Sequence, residues 1–119
     1  MIILALCGIA ALFLYCQILS RRLSYARAYW RYELCHLLAG FFVAGGAASV
    51  IRDGWIIFGA SMAFGVLWEA WEYLFAHSAF LSRSFGRIGW KHGPWALSDT
   101  VFDLLLDAAG AFVFLSLLF

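Results

Sequence analysis

The sequence is poor in charged residues, in proline and in cysteine. Only 13% of its 119 residues are charged and 66% are hydrophobic, with one proline and three cysteines. Soluble domains keep about a quarter of their residues charged, because a small protein exposes much of its surface to water. The low charge argues against a soluble or disordered chain and makes the lipid bilayer the expected solvent. The three separated cysteines argue against a disulfide scaffold and a cysteine zinc site.

The basic residues are unevenly placed, although the net charge is only +1. This balance argues against electrostatic binding of nucleic acid. We therefore expect membrane lipid as a partner and no nucleic acid. Seven of the eight Lys and Arg residues lie within 21–31 and 83–91. Loops rich in lysine and arginine face the cytoplasm, which places both stretches inside the cell. The arginines expected to contact lipid headgroups or loops are Arg27, Arg31, Arg83 and Arg87.

Four apolar segments are long enough to cross a bilayer, which takes about 20 helical residues. These predicted spans are residues 1–19, 33–51, 55–77 and 96–119. The sequence therefore predicts one all-α domain over 1–119, an integral membrane four-helix bundle with both termini on the non-cytoplasmic side. We expect a multi-pass protein of the bacterial inner membrane. Residues 52–54 (Arg-Asp-Gly) are predicted to turn the chain between two antiparallel helices.

Most carboxylates lie inside the predicted spans or at their edges. They are Glu33, Glu69, Glu72, Asp99, Asp103 and Asp107. A carboxylate at the bilayer centre costs roughly 2.5–3.5 kcal/mol, so it normally faces the interior of a bundle. Their spacings of three and four residues place each set on one helix face, and the topology brings all three sets to the cytoplasmic half of the bilayer. Gly40, Gly65 and Gly110, about one turn from these acids, predict close contacts between helices.

This convergence predicts a metal or cation site near the cytoplasmic face. The candidate ligands are the six carboxylates and His36, which follows Glu33 at the spacing used by four-helix di-metal carboxylate proteins. A mostly oxygen ligand set favours Mg²⁺, Mn²⁺, Fe²⁺ or Ca²⁺. One alternative is an ion-pair network with the loop arginines, Lys91 and His92. For Glu33 and Asp99, at the expected helix starts, a capping role is a further alternative.

The ordered motifs are similar to those of a known family. They are Glu33-x-x-His36-x-x-x-Gly40, then Glu69-x-x-Glu72, then Asp99-x-x-x-Asp103 with Gly110 and Ala111 after it. Over residues 33–112 the chain resembles the YjdF-like bacterial inner-membrane proteins, and more loosely the VanZ-like proteins. The resemblance implies a polytopic membrane fold but no particular reaction. The resemblance also implies that five residues are important for function: His36, Glu69, Glu72, Asp99 and Asp103.

The sequence departs from the pattern of these relatives in two respects. The related proteins usually have more helices, so this chain corresponds to the part that carries the motifs. Asp107 stands where those relatives often have an uncharged residue.

Three classes of function fit this sequence. If the protein is an enzyme, the substrate would be a lipid headgroup or a phosphorylated molecule, and a metal would polarise a phosphoryl oxygen or activate a water. The second class is a non-catalytic accessory or structural subunit of a larger membrane complex. A homo-oligomer is the other assembly that we consider for this protein, and it would argue against the accessory class. The third is proton or cation translocation, because chains of carboxylates and histidine at membrane depth are typical of proton relays.

Overall fold

The computed structural model describes residues 1–90 and 95–119, and the regular structure within these ranges is helical. The helices are α1 (Ile2–Arg22), α2 (Tyr25–Ala47), α3 (Gly54–His77), α4 (Ala79–Gly86) and α5 (Leu97–Leu118). The predicted all-α class is therefore confirmed. Lys91 and His92, the ion-pair partners considered above, lie outside the described residues.

Three of these helices are long and apolar enough to cross a membrane by length and composition. They are α1, α3 and α5. Helix α2 has a similar length but carries Arg27, Arg31, Glu33 and His36, which lower its hydropathy. It packs against α1, α3 and α5, so it occupies the middle of the fold. This position shelters its polar face from lipid.

Residues 20–32, between the first two predicted spans, form mostly helix rather than a loop. Helix α1 continues to Arg22 and α2 already begins at Tyr25, so only Leu23 and Ser24 connect them. The intervening segment is rich in alanine, arginine and aromatic residues, which a helix accepts without difficulty. Hydropathy locates the apolar part of a helix, and it therefore placed the start of α2 too late, at residue 33.

The long loop predicted after the third helix is also wrong in part. Residues 79–86 form α4, and the Ser78 side chain caps it by accepting a hydrogen bond from the Leu81 backbone N–H at 3.3 Å. Helix α4 packs against α3. The segment is too short and too polar to be recognised from hydropathy as a helix.

A short connection joins α2 and α3, as predicted, but it is longer than the predicted turn at 52–54 because α2 ends at Ala47 and Gly54 already belongs to α3. It covers residues 48–53, and the Asp53 carboxylate accepts a hydrogen bond from the Ile56 backbone N–H at 3.0 Å. An aspartate at this position satisfies a free donor of the first helical turn. The two helices pack against each other as an antiparallel pair.

Large apolar side chains point outward in this fold. Ile3, Leu67 and Phe112 are 75%, 70% and 64% exposed. Exposed apolar area on this scale is unfavourable in water but suits a lipid environment. A small buried core lies near the α2–α3 turn, and it consists of Ala44, Ala48, Ile57, Ala111 and Phe114.

Glycine brings α2 and α5 into close contact, as the sequence predicts. A Cβ atom on Gly40 would overlap the backbone oxygen of Asp107, and one on Gly110 would overlap the backbone oxygen of Leu37. On α3, a Cβ on Gly65 would stand 2.7 Å from Oδ2 of Asp107. Small residues at helix crossings allow backbones to approach closely in membranes. These glycines therefore hold the acidic faces of three helices together.

Candidate functional site

A cavity of about 200 Å³ lies between α1, α2, α3 and α5. Every candidate ligand predicted from the sequence lines it: Glu33, His36, Glu69, Glu72, Asp99, Asp103 and Asp107. The acids reach it from α2, α3 and α5, so three helices that are separate in the sequence contribute side chains to one cavity. Asp53, the remaining carboxylate of the sequence, caps α3 instead.

His36 is positioned between two carboxylates of α5. Its Nε2 lies 3.5 Å from Oδ2 of Asp103, and its Nδ1 lies 3.5 Å from Oδ1 of Asp107. The two aspartates stand four residues apart, so they occupy the same face of α5 one turn from each other. The ring therefore lies between two carboxylates, with one of them beside each of its nitrogen atoms.

Three carboxylate oxygens in the cavity are buried without a hydrogen-bond partner in the described part of the chain. They are Oε2 of Glu33, Oε1 of Glu69 and Oδ1 of Asp103. The exposed fractions of these residues are 5%, 5% and 4%. Leaving a buried charged oxygen unsatisfied is costly, so each of these atoms needs a proton, a cation or a water molecule as its partner.

Two groups of these side chains have the geometry to share a cation. One contains His36, Glu69 and Asp103, and the other contains Glu33, Asp99 and Asp103. Within each group one ligand atom from each residue lies within 4.8 Å of the others. Imidazole nitrogen and carboxylate oxygen are suitable ligands for Mn²⁺ or Fe²⁺, and an all-carboxylate group suits Mg²⁺ or Ca²⁺.

Asp99 is held by Tyr25, a residue that the sequence does not identify as part of the site. The Tyr25 hydroxyl donates a hydrogen bond to Oδ2 of Asp99 at 2.8 Å. Tyr25 precedes the predicted span of α2, and burial, followed by this hydrogen bond, raises the pKa of its phenol. The phenol therefore stays protonated and available as a donor. The two residues are 74 positions apart, so no local pattern indicates the contact.

Other contacts in the cavity do have a sequence signal. The Trp68 indole N–H donates to Oε1 of Glu72 at 3.0 Å, and the two residues stand one helical turn apart. Thr100 also lines the cavity. It precedes Asp103 by three residues, so the two side chains lie on the same helix face. Polar side chains at spacings of three or four from a buried acid are the signal that could have found both residues.

Neither of the two acids caps its helix through a side-chain hydrogen bond, and only Asp99 lies where a charge can interact with the helix dipole. Glu33 lies more than two turns inside α2, so it cannot cap that helix. Asp99 occupies the first turn of α5, where a negative charge interacts favourably with the helix dipole. The earlier start of α2 accounts for the difference.

The loop arginines are exposed and lie away from the buried oxygens. Arg27, Arg31, Arg83 and Arg87 are all exposed. Across residues 1–90 and 95–119, no arginine forms an ion pair with Glu33 or Asp99, two of the acids for which that network was considered. The arginine ion-pair network considered from the sequence is therefore not formed at these acids by the described residues.

Aromatic residues close the cavity at the end where α1 finishes. The Trp90 ring packs against Phe13 of α1 with centroids 5.0 Å apart, and against Phe85 of α4 at 5.5 Å. The Arg21 guanidinium donates to the backbone oxygen of Ile88 at 3.0 Å, which fixes the same segment to the end of α1. Trp90 thus connects α1 with the α3–α4 region beside the acids.

Residues 2–119 match the family described as "Predicted membrane protein (DUF2238)". The chain belongs to this family. The YjdF-like family predicted from the motifs is DUF2238, so that resemblance is confirmed. No curated protein matches the chain, and neither does any solved structure.

Membership of DUF2238 establishes a membrane protein of unknown function. It covers almost the whole chain, including the α1 segment that lay outside the motifs used for the resemblance. The looser similarity to the VanZ-like proteins stays a prediction.

Proposed function

We propose that this DUF2238 protein binds a divalent cation in the acidic cavity inside its helical bundle. The observation that supports this is the set of three buried, unpartnered carboxylate oxygens of Glu33, Glu69 and Asp103 in one cavity. Burial of several carboxylates together is unfavourable because each loses its hydration and repels its neighbours. A divalent cation lowers both costs, since it neutralises two of these negative charges and binds oxygens that lack a hydrogen-bond partner.

Asp107 has a separate role in this proposal. It contacts the His36 Nδ1 atom, while Nε2 faces the group formed by Glu69 and Asp103. Histidines that bind metals usually donate the other ring N–H to a carboxylate, which fixes the tautomer and the orientation of the ring. Asp107 is therefore proposed as a positioning residue for His36 rather than as a ligand.

The proposed membrane arrangement follows from the distribution of charge. Helices α1, α2, α3 and α5 would cross the bilayer as a four-helix bundle with the arginine-rich end in the cytoplasm and both termini outside. Arg27, Arg31, Arg83 and Arg87 would then contact headgroups of the anionic inner leaflet. A bacterial inner membrane fits this polarity. In this orientation the cavity lies in the cytoplasmic half of the bilayer.

The cavity combines the acids with apolar side chains, which favours a lipid as the molecule that meets the cation. Leu12 and Phe13 of α1, Val43 of α2 and Phe64 of α3 line it together with the carboxylates. The apolar residues suit an acyl or prenyl chain. A bound cation would attract a phosphate headgroup and could polarise its phosphoryl oxygen. A phosphorylated lipid is therefore the proposed substrate class if the protein is an enzyme.

Translocation of protons or cations is less well supported. The buried core of Ala44, Ile57 and Phe114 near the α2–α3 turn is apolar. A polar path through one copy of the chain would have to pass it. The accessory-subunit hypothesis makes a different prediction, namely that the protein purifies in mild detergent with a fixed partner.

The experiment is a titration of detergent-purified protein with Mn²⁺, Mg²⁺ and Ca²⁺ by calorimetry, after treatment with a chelator. We expect saturable binding of at least one of these ions by the wild type. The Glu69→Gln variant should lose affinity because it removes one charge and keeps the shape of the side chain. Asp53→Asn is the matched control, since it also neutralises one acid but keeps a good helix cap outside the cavity.

Two outcomes would contradict the proposal. One is the absence of saturable binding by folded wild-type protein. The other is an equal loss of affinity in Asp53→Asn and Glu69→Gln, because that result would indicate a nonspecific effect of net charge.

A further inference from the structure

The buried acids form two overlapping groups that share one residue. Asp103 belongs both to the group with His36 and Glu69 and to the group with Glu33 and Asp99. It lies on α5, whereas Glu33 lies on α2 and Glu69 on α3, and each of these helices packs against α5. A carboxylate has two oxygens, so one aspartate can serve a cation on each side.

Each group contains one buried oxygen without a hydrogen-bond partner that belongs to that group alone. The shared residue, Asp103, carries a further such oxygen. The Glu69 group contains the unpartnered Oε1 of Glu69, and the second group contains the unpartnered Oε2 of Glu33. The shared Asp103 has an unpartnered Oδ1, while its Oδ2 faces His36. A single cation in one group would leave the buried oxygen of the other group without a partner.

The total negative charge of the two groups also indicates two cations. The four carboxylates involved are Glu33, Glu69, Asp99 and Asp103. One divalent cation would neutralise half of this charge, and a second would neutralise the rest. No arginine in the described ranges forms an ion pair with Glu33 or Asp103, and the basic side chain that faces Asp103 is His36, which itself belongs to the first group.

We propose that the cavity holds two divalent cations and that the Asp103 carboxylate bridges them. This inference rests on the proposed cation binding and gives it a stoichiometry. His36 and Glu69 would complete one position, and Glu33 and Asp99 the other. The position with an imidazole favours Mn²⁺ or Fe²⁺, whereas the oxygen-only position also accepts Mg²⁺ or Ca²⁺.

A pair of cations indicates the class of ligand. In two-metal sites the ions are about 3.5–4 Å apart and hold both the attacking and the leaving oxygen of a displacement at phosphorus. The ligand inferred for this site is therefore a phosphate ester with an oxygen able to contact both ions. The apolar lining of the same cavity fits the chain of a lipid phosphate.

The experiment measures how many Mn²⁺ ions bind and whether they are coupled. Chelator-treated wild type is equilibrated with Mn²⁺ by dialysis, and bound metal is quantified per protein by mass spectrometry. We expect two ions in the wild type and in the Asp53→Asn control. Glu33→Gln and Glu69→Gln should each retain one ion, and Asp103→Asn should retain none at the same free Mn²⁺ concentration.

Low-temperature electron paramagnetic resonance provides the second readout. Two Mn²⁺ ions bridged by a carboxylate give an exchange-coupled spectrum, whereas isolated ions give separate six-line signals. We expect the coupled spectrum in the wild type and isolated signals in Glu33→Gln and Glu69→Gln. The wild-type stoichiometry and spectrum need no variant, so a variant that fails to fold does not decide the result.

The possible failures can be distinguished. Binding of one Mn²⁺ to the wild type overturns the two-cation inference but leaves the proposed cation binding intact. Two uncoupled ions overturn the bridging role of Asp103. If the wild type binds no Mn²⁺, Mg²⁺ or Ca²⁺, both proposals are wrong.

Discussion

His36 of α2 faces Asp103 of α5 across 3.5 Å, measured from Nε2 to Oδ2. The contact joins the central helix α2 to α5, which packs closely against it at glycine residues. It lies where the buried acids come together. Asp107 holds the opposite ring nitrogen at the same distance, so the orientation of the imidazole is determined from both sides.

Asp107→Asn should weaken cation binding without abolishing it. The substitution removes the negative charge that orients the His36 ring, and loss of such an outer carboxylate typically costs about 10–100-fold in metal affinity. We expect this loss in a Mn²⁺ titration, with the stoichiometry of the wild type retained. An affinity equal to that of the Asp53→Asn control would show that Asp107 does not position the histidine.

Gly40→Ala should destabilise the fold through the contact between α2 and α5. The new methyl group would overlap the Asp107 backbone oxygen, and forced overpacking of this kind costs about 1–3 kcal/mol. Gly59→Ala in α3 is the matched control, because no described atom lies within 4 Å of a Cβ at that position. Both changes favour the helical state equally, so the difference between them isolates the overlap.

The measurement for the glycine pair is thermal unfolding in mild detergent, followed by circular dichroism. Gly40→Ala should unfold at a lower temperature than the wild type, while Gly59→Ala should be unchanged or slightly more stable. Equal stability of the two variants would contradict the close approach of α2 and α5.

Tyr25→Phe should lower stability by about 0.5–1.5 kcal/mol, the typical net contribution of one hydrogen bond. The change removes the hydroxyl that donates to Asp99 and leaves the aromatic ring in place. Tyr15→Phe, on the exposed side of α1, serves as the control. Unfolding in detergent compares the two variants, and no difference between them would mean that the Tyr25–Asp99 contact adds no stability.

The proposed orientation predicts opposite labelling of two exposed arginine positions. Arg52 lies in the α2–α3 turn and Arg87 follows α4, so the length of α3 separates them. In a background with Cys7, Cys16 and Cys35 changed to alanine, Arg52→Cys should react with a membrane-impermeant maleimide in intact cells. Arg87→Cys should react only in inside-out vesicles. The reverse pattern would invert the topology and place the cavity in the outer half of the bilayer.

The sequence by itself determined the class of the protein and the acidic side chains that line its cavity. Low charge and long apolar runs require a lipid-facing helical fold, because water would not solvate such a surface. A carboxylate in a membrane helix avoids lipid, so the helix face of each acid could be predicted from its spacing. The same reasoning identified Gly40 and Gly110 as contact positions.

The tertiary structure decided which of these residues meet and how. Helix α2 begins at Tyr25 because a helix continues through polar residues as readily as through apolar ones, whereas hydropathy follows only the apolar part. The Tyr25–Asp99 contact depends on two segments distant in sequence, and the sharing of Asp103 between two groups depends on distances among three helices. Such distances are set by the packing of α2, α3 and α5, which no local spacing in the sequence specifies.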